Sequence, residues 1–203
     1  NIDKYARLFG LGESTGINWS QEEVGSIPTP DWKAKNFLDD PRWRIGDTYH
    51  TAIGQYGFQV TPLQMARVMG AIATDGALVT PTILDASTTP IHQPARDLSS
   101  LIPASAFQIV REGLRLAVTE GTAQGLNVPS VAIAAKTGTA ELGVSKTNVN
   151  SWVIGFFPYD TPRYAFAVVM ERGRIGNILG VGGAFVIRQL VDWLAVNAPE
   201  YLR

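Results

Sequence analysis

A change of texture at Val131 constrains this chain more than any other feature. Before it, apolar residues recur at three- and four-residue steps; after it come short runs rich in β-branched and aromatic residues, Val131 to Ala135, Ser151 to Phe157 and Arg163 to Glu171. The first pattern keeps one face of a helix apolar, and the second suits the pleated surface of a strand. Pro158-Tyr159-Asp160-Thr161-Pro162 separates the last two runs with residues that favour turns, so those runs form a hairpin. Three antiparallel strands are therefore expected. Helices first, then a hairpin sheet with a helix laid on it, give an α+β class.

The helices can be placed individually. Ile2, Tyr5, Ala6, Leu8 and Phe9 predict an opening helix over Ile2 to Leu11, entered midway and ending at Gly10 or Gly12. Thr61 is an N-cap with Pro62 at the first helical position; Leu63, Ala66, Gly70 and Ala73 make one face, Met69 and Ile72 lie beside it, and Gly76 closes the helix. A second long helix is predicted from Ala104 to Thr119, with Phe107, Val110, Leu114 and Ala117 on its apolar face and Gly121 at its end. Gly180, Gly182 and Gly183 lead into a final helix with Phe185, Ile187, Leu190, Val191 and Leu194, stopped by Pro199. Glu13 to Tyr49 lacks sustained periodicity and carries Pro28, Pro30 and Pro41, which reads as a long surface segment. Its three tryptophans, Trp19, Trp32 and Trp43, bring too much aromatic area to be left in water, so the segment should be an ordered excursion packed on the body. No repeat or linker divides residues 1–203.

Composition excludes several function classes. Only 17% of the residues are charged and 45% are hydrophobic, so the chain should fold. Lys+Arg 17 against Asp+Glu 18 leaves a net charge of −1, no field to attract nucleic acid or anionic lipid. Without cysteine there is neither a disulfide framework nor a thiolate metal site, and His50 and His92 are too far apart for a local metal motif. No cofactor is expected. No apolar run reaches the roughly 18 residues of a spanning helix, and the N-terminus lacks a signal-peptide pattern.

The tripeptide Lys136-Thr137-Gly138, followed by Thr139-Ala140-Glu141, carries the most chemistry. Placed at the end of the strand Val131 to Ala135, Lys136 projects an ammonium while Gly138 lets a ligand approach the backbone. The hydroxyls of Thr137 and Thr139, alternate residues on one strand face, can hydrogen-bond a carboxylate that the ammonium also attracts. Together they predict a carboxylate-binding strand edge facing an open cleft.

Upstream stand Gly46-Asp47-Thr48, Ile53-Gly54-Gln55-Tyr56-Gly57, Val60-Thr61-Pro62-Leu63-Gln64-Met65-Ala66, Asp75-Gly76 and Pro81, in that order. With Lys136-Thr137-Gly138 this series resembles the transpeptidase domain of class B penicillin-binding proteins, which cross-link peptidoglycan. Pro28-Thr29-Pro30-Asp31-Trp32-Lys33 looks most like the cell-elongation subgroup, penicillin-binding protein 2. The resemblance spans essentially the whole chain and implies a penicillin-recognising fold, an antiparallel sheet flanked by helices.

Members of that family use three motifs, Ser-x-x-Lys, Ser-x-Asn or Ser-x-Asp, and Lys-Thr-Gly. Only the third is present. The residues three before Lys4, Lys33, Lys35, Lys136 and Lys146 are Asn1, Pro30, Trp32, Ile133 and Gly143, and no Ser-x-Asn or Ser-x-Asp occurs. The resemblance therefore implies that residues 1–203 are the C-terminal part of one transpeptidase domain, with the nucleophile-bearing part before residue 1. That part would be a partner held without covalent linkage, adding a strand to the sheet and a serine-bearing helix to its cleft.

The resemblance further implies serine acyl transfer on peptidoglycan stem peptides, with β-lactams in the same site. Lys136 and Thr139 would be catalytic, and Lys136, Thr137, Gly138, Thr139, Tyr56 and Trp152 would bind substrate. Lys136 supplies positive potential, the two threonine hydroxyls hold the terminal carboxylate, and the Thr139 N–H forms half of the oxyanion hole. The site would face the periplasm, anchored to the membrane by a segment outside this chain, with a polytopic glycosyltransferase of the elongation machinery as a further partner. A non-catalytic module of the same fold, for scaffolding or β-lactam sensing, is the alternative; it would have no need of the carboxylate-binding set.

Other features read as structural. His50 beside Asp47 has no nucleophile to serve and is expected to be a hydrogen-bonded structural histidine. Gln55 either braces the segment behind the site or touches substrate. Met65 and Met69 belong to a helix core, Glu171-Arg172-Gly173-Arg174 forms a mobile charged hairpin, and core packing competes with cleft lining for Trp152.

Overall fold

The computed structural model describes residues 1–17, 21–84, 96–143, 145–177 and 182–203, so Trp19, His92 and Gly180 lie outside the described residues. Among the described residues six helices, α1 (Ile2–Leu8), α2 (Pro30–Asn36), α3 (Ile45–Ala52), α4 (Pro62–Ala73), α5 (Ala104–Thr119) and α6 (Gly183–Asn197), accompany a sheet of β3 (Ala134–Leu142), β4 (Asn148–Phe157) and β5 (Tyr164–Arg174). A two-residue pair, β1 (Ala77–Leu78) and β2 (Arg96–Asp97), follows α4. The main sheet is antiparallel in the order β3-β4-β5, with Lys136 opposite Ile154 and Trp152 opposite Val169.

At the Phe157 end of β4 the sheet is covered on both faces, and there the strand is nearly continuous in apolar residues, from Trp152 to Phe157. On one face Ile133, Ala135, Val153 and Phe157 pack with Val118, Leu126, Ile187 and Val191 from α5, the turn after it and α6. On the other, Ala134 and Phe156 pack with Val68, Met69 and Ile72 of α4 and with Ala6 and Leu11 at α1. The helix–sheet–helix layering is the expected α+β arrangement.

Several local readings need correction. The opening helix stops at Leu8, with Gly10 in the left-handed region at φ 78° turning the chain out. The long excursion contains two short helices, α2 capped by Thr29, whose hydroxyl accepts from Trp32 N at 3.1 Å, and α3. Its neck is closed by a single bridge, Ser26 and Gln59 exchanging both backbone hydrogen bonds at 2.8 Å. The α4 N-terminus is as predicted, a reciprocal box in which Thr61 Oγ1 accepts from Gln64 N and Gln64 Oε1 accepts from Thr61 N. Its buried face differs: Gln64, Arg67, Val68, Ala71 and Ile72 point inward, while Leu63 and Ala66 are half-buried. Gln64 is fully buried because its amide donates to Glu13 O at 2.8 Å and Val24 O at 2.9 Å, stapling the loop after α1 onto α4. On α5 the buried stripe is Phe107, Leu114 and Val118, and Val110 faces solvent. On α6 Ile187 and Val191 are inside, whereas Phe185 and Leu190 are exposed.

Candidate active site

Lys136-Thr137-Gly138-Thr139 lies within β3, not at the end of a strand closing at Ala135. Pairing with β4 continues through Leu142, so the ladder overrides the weak strand propensity of Lys and Gly. The sheet order leaves β3 at the edge. The base of that edge is covered by α5, where Arg115 Nη1 donates to Ile133 O at 2.9 Å, and Thr122 just beyond α5 meets Thr137, hydroxyl to hydroxyl, at 2.7 Å. From there onward the edge faces a cleft.

The cleft is a cavity of about 660 Å³ lined by Lys136 to Leu142, by the segment Thr51 to Val60, and by Met65, Trp152 and Ile154. Thr137 is half-buried and Thr139 exposed, so neither is packed into the core. Strand alternation gives the two threonines one face, opposite Val153 and Ser151, and gives Lys136, Gly138 and Ala140 the other, opposite Ile154, Trp152 and Asn150. A Cβ at Gly138 would touch Trp152 Cβ at 3.4 Å, so the glycine leaves the half-buried indole beside the cleft. The Lys136 ammonium is exposed and folds back along its own strand to donate to Thr137 O at 2.7 Å.

Backbone polarity along this edge follows from one contact. Gln55 Nε2 donates to Thr139 O at 3.4 Å. Within an antiparallel strand a residue's N–H and C=O point to the same side, so the Thr139 N–H also faces outward, as do the backbone groups of Thr137. The edge therefore offers alternating donors and acceptors to the cleft.

The opposite wall is built on the excursion. Gln55 N donates to His50 O at 3.0 Å and Gly54 N to Thr51 O at 3.1 Å, fastening the loop Gly54–Gly57 to the end of α3. Tyr56 adopts φ 71°, and its ring stands among Trp32 and Phe37, each 5.4 Å away between centroids, with Trp43 and His50 at 6.4 Å. A Cβ at Gly57 would lie 2.2 Å from the Trp32 ring, so only glycine fits. Beneath this aromatic cluster Lys33 Nζ and Asp47 Oδ2 form a buried ion pair at 2.7 Å. The bond from Lys33, with a second from Arg44 N at 2.6 Å, holds the Asp47 carboxyl below the ordinary range, and the same bond raises Lys33. Burial pushes the Tyr56 hydroxyl up.

The remaining readings divide. Asp47 pairs with Lys33 and not with His50, whose ring is exposed and borders Tyr56. Met69 is core, but Met65 is half-buried and lines the cleft. Glu171 to Arg174 continue β5 against Asn148 and Val149 and do not form a separate hairpin. Thr122 and the Lys33–Asp47 pair were not legible locally, because their partners stand 15 and 14 residues away. Among the described residues no group of His, Asp and Glu is arranged to hold a metal.

Residues 1–183 match the family described as the penicillin binding protein transpeptidase domain. A curated relative, the peptidoglycan D,D-transpeptidase MrdA of Acinetobacter baumannii, is 31% identical over 221 residues, covering 100% of this chain and 32% of its own length. Among solved structures, penicillin-binding protein 2 (PBP2) of Helicobacter pylori in complex with MreC superposes with a TM-score of 0.75 at 32% identity, over 95% of this chain and 34% of that one. PBP2 of Pseudomonas aeruginosa in complex with WCK 5153 gives 0.74 at 25% identity, over 98% and 45%. The chain thus spans about a third of the length of the curated relatives it matches. With a family match over nine-tenths of its length and the same layered fold in its neighbours, the chain belongs to the penicillin-binding protein transpeptidase family.

Proposed function

We propose that this chain is the C-terminal part of a peptidoglycan D,D-transpeptidase domain and supplies the substrate-binding wall of a serine acyl-transfer site. The observation that supports the reading is the outward edge of β3, where Lys136, Thr137 and Thr139 all border one cleft and Thr139 turns its backbone toward it. An ammonium and two hydroxyls along one edge suit a terminal carboxylate, and the outward backbone N–H groups of that edge suit the carbonyls of an extended peptide. The relatives named as D,D-transpeptidases support the same chemistry.

In that chemistry a serine outside this chain attacks the carbonyl between the two terminal D-Ala residues of a stem peptide. The peptide C–N bond breaks, the terminal D-Ala leaves as an amine after accepting a proton, and an ester joins the stem to the serine. An amine of a neighbouring stem then attacks the ester, forming the cross-link and returning the proton to the serine. Lys136, Thr137 and Thr139 hold the carboxylate of the departing residue. The Thr139 N–H stabilises the oxyanion of both tetrahedral intermediates, a contribution of roughly 3–4 kcal/mol for such a donor. Trp152 and Tyr56 line the approach. A β-lactam presents its own carboxylate to the same groups.

The domain would act on the periplasmic side of the cytoplasmic membrane, anchored by a segment outside this chain; among the described residues no helix is long and apolar enough to cross a membrane. A polytopic glycosyltransferase of the elongation machinery is a further proposed partner. The complex of the H. pylori relative with MreC supports protein partners for proteins of this type.

Labelled penicillin tests the reading. Residues 1–203 alone should form no covalent adduct, whereas the longer protein containing them should be labelled on a serine before Asn1. Lys136→Ala in that protein should slow labelling by at least about a hundredfold. An adduct mapped to a serine of residues 1–203 overturns the assignment.

A further inference from the structure

Apart from Tyr56, the Lys33–Asp47 pair, the aromatic cluster and the loop Gly54–Gly57 take no part in the chemistry above, yet they end on the edge that carries it. We propose that Gln55 is a positioning residue for the β3 edge, and that the α2–α3 excursion, locked by the Lys33–Asp47 pair, is the brace that holds it there. The proposal rests on the acyl-transfer reading for its catalytic consequence, but its mechanical part concerns this chain alone.

Four observations converge on the brace. Gln55 bridges 84 residues of sequence to reach Thr139 O. Its own backbone is held by His50 O, so a shift of α3 is transmitted to the amide. Tyr56, next in the chain, is kept in a left-handed conformation that an L-residue adopts reluctantly, which the packing of its ring among Trp32, Phe37 and Trp43 sustains. Gly57 is pinned under Trp32, and Trp32 and Lys33 are adjacent on α2, so the ion pair fixes the helix that fixes the loop.

The consequence at the site is geometric. Thr139 is the residue whose N–H would face the oxyanion, and its C=O lies on the same open edge. An edge strand has no neighbour to fix those groups, and a donor displaced by 1 Å loses much of its effect on a developing charge. Gln55 replaces the missing neighbour at one carbonyl. It also occupies the acceptor that an incoming strand would otherwise take at this position, leaving the Thr139 N–H free for the reacting carbonyl.

Two measurements on Gln55→Glu test this, since a carboxylate keeps the size but cannot donate to Thr139 O. Hydrogen exchange on residues 1–203 should show faster exchange in Lys136–Leu142 while Asn148–Phe157 is unchanged. In the longer protein, the rate constant for acylation by labelled penicillin should fall about tenfold with the initial binding constant changed less than about threefold. Gln55→Met is the second variant if Gln55→Glu fails to fold, and the double variant K33M/D47L, which removes the pair without leaving a lone buried charge, should give the same exchange pattern. Wild-type exchange and acylation in the Gln55 variants overturn the brace. A wild-type protein that no penicillin labels, with the exchange effect intact, overturns the acyl-transfer reading and leaves the brace standing.

Discussion

Two donors converge on one oxygen of Asp47, Lys33 Nζ and Arg44 N, and the group answers to pH accordingly. Its folded pKa lies below its unfolded value of about 3.9, so the pair contributes stability above that value and loses it as pH falls through the folded one. Lys33 is shifted upward, so its contribution is complete below about pH 10.4 and is lost only as pH rises through the raised value. Asp40, 3.9 Å from Lys33 and bonded to Arg44, and the Tyr56 hydroxyl are the other titratable groups facing the pair. Tryptophan fluorescence, followed as the wild type is acidified, should change below about pH 4 as Trp32 and Trp43 loosen; Asp47→Asn should lack that transition. A second residue-scale expectation concerns Gly57. Gly57→Ala should destabilise the excursion by about 1–3 kcal/mol through the clash with Trp32, read as a lower thermal midpoint.

At the scale of elements, Gly155 on β4 is the tightest crossing in the sheet. A Cβ there would lie 2.3 Å from Ala134 O and 2.7 Å from the Phe166 ring. Gly155→Ala should therefore cost more than a simple overpacking of about 1–3 kcal/mol, and denaturant unfolding should show it as a reduced midpoint with the slope retained. Thr61→Ala, which removes the α4 cap, should cost only about 1 kcal/mol. The elements that sequence reading locates well are those with local signals: α5 has the predicted bounds Ala104–Thr119, α4 begins at Pro62, and the β4–β5 hairpin turns at Pro158 to Pro162. Those it misses depend on distant partners. The short helices α2 and α3 carry little periodicity and owe their order to the aromatic cluster and the ion pair. The inward face of α4 was misread because Gln64 and Arg67 are polar, and they are buried only through carbonyls of other segments: Glu13 and Val24 for Gln64, Val79 for Arg67. The Lys-Thr-Gly residues stand out in the sequence by their chemistry, but their place inside a strand needs the β4 ladder, and Thr122 needs the turn after α5.

Among the described residues, large apolar side chains stand exposed on several elements. Trp193 and Val196 on α6 are 58% and 81% exposed, and Ile45, Tyr49 and Ile53 form a stripe along α3 beside the cleft. Exposed apolar side chains that run together along a helix suit surfaces made to be covered. Co-expressed with the serine-bearing segment proposed to complete the domain, this chain should co-purify under native conditions and separate in denaturant; a monodisperse, cooperatively unfolding chain with no affinity for such a segment would count against the proposed division of the domain. The neck at Ser26 and Gln59 has a different kind of consequence. Because both ends of the excursion meet at one bridge, with Gly25 so close that a Cβ would sit 2.1 Å from Gln59 O, the contour between them is a closed loop. The entropy of closing such a loop grows only as about (3/2)RT ln n, so a few residues added at the exposed tip around Leu38 cost only tenths of a kcal/mol. Length can thus drift at the tip through evolution while the neck and the Gln55 loop stay in register, and insertions among members of this family should accumulate at the tip and spare the neck.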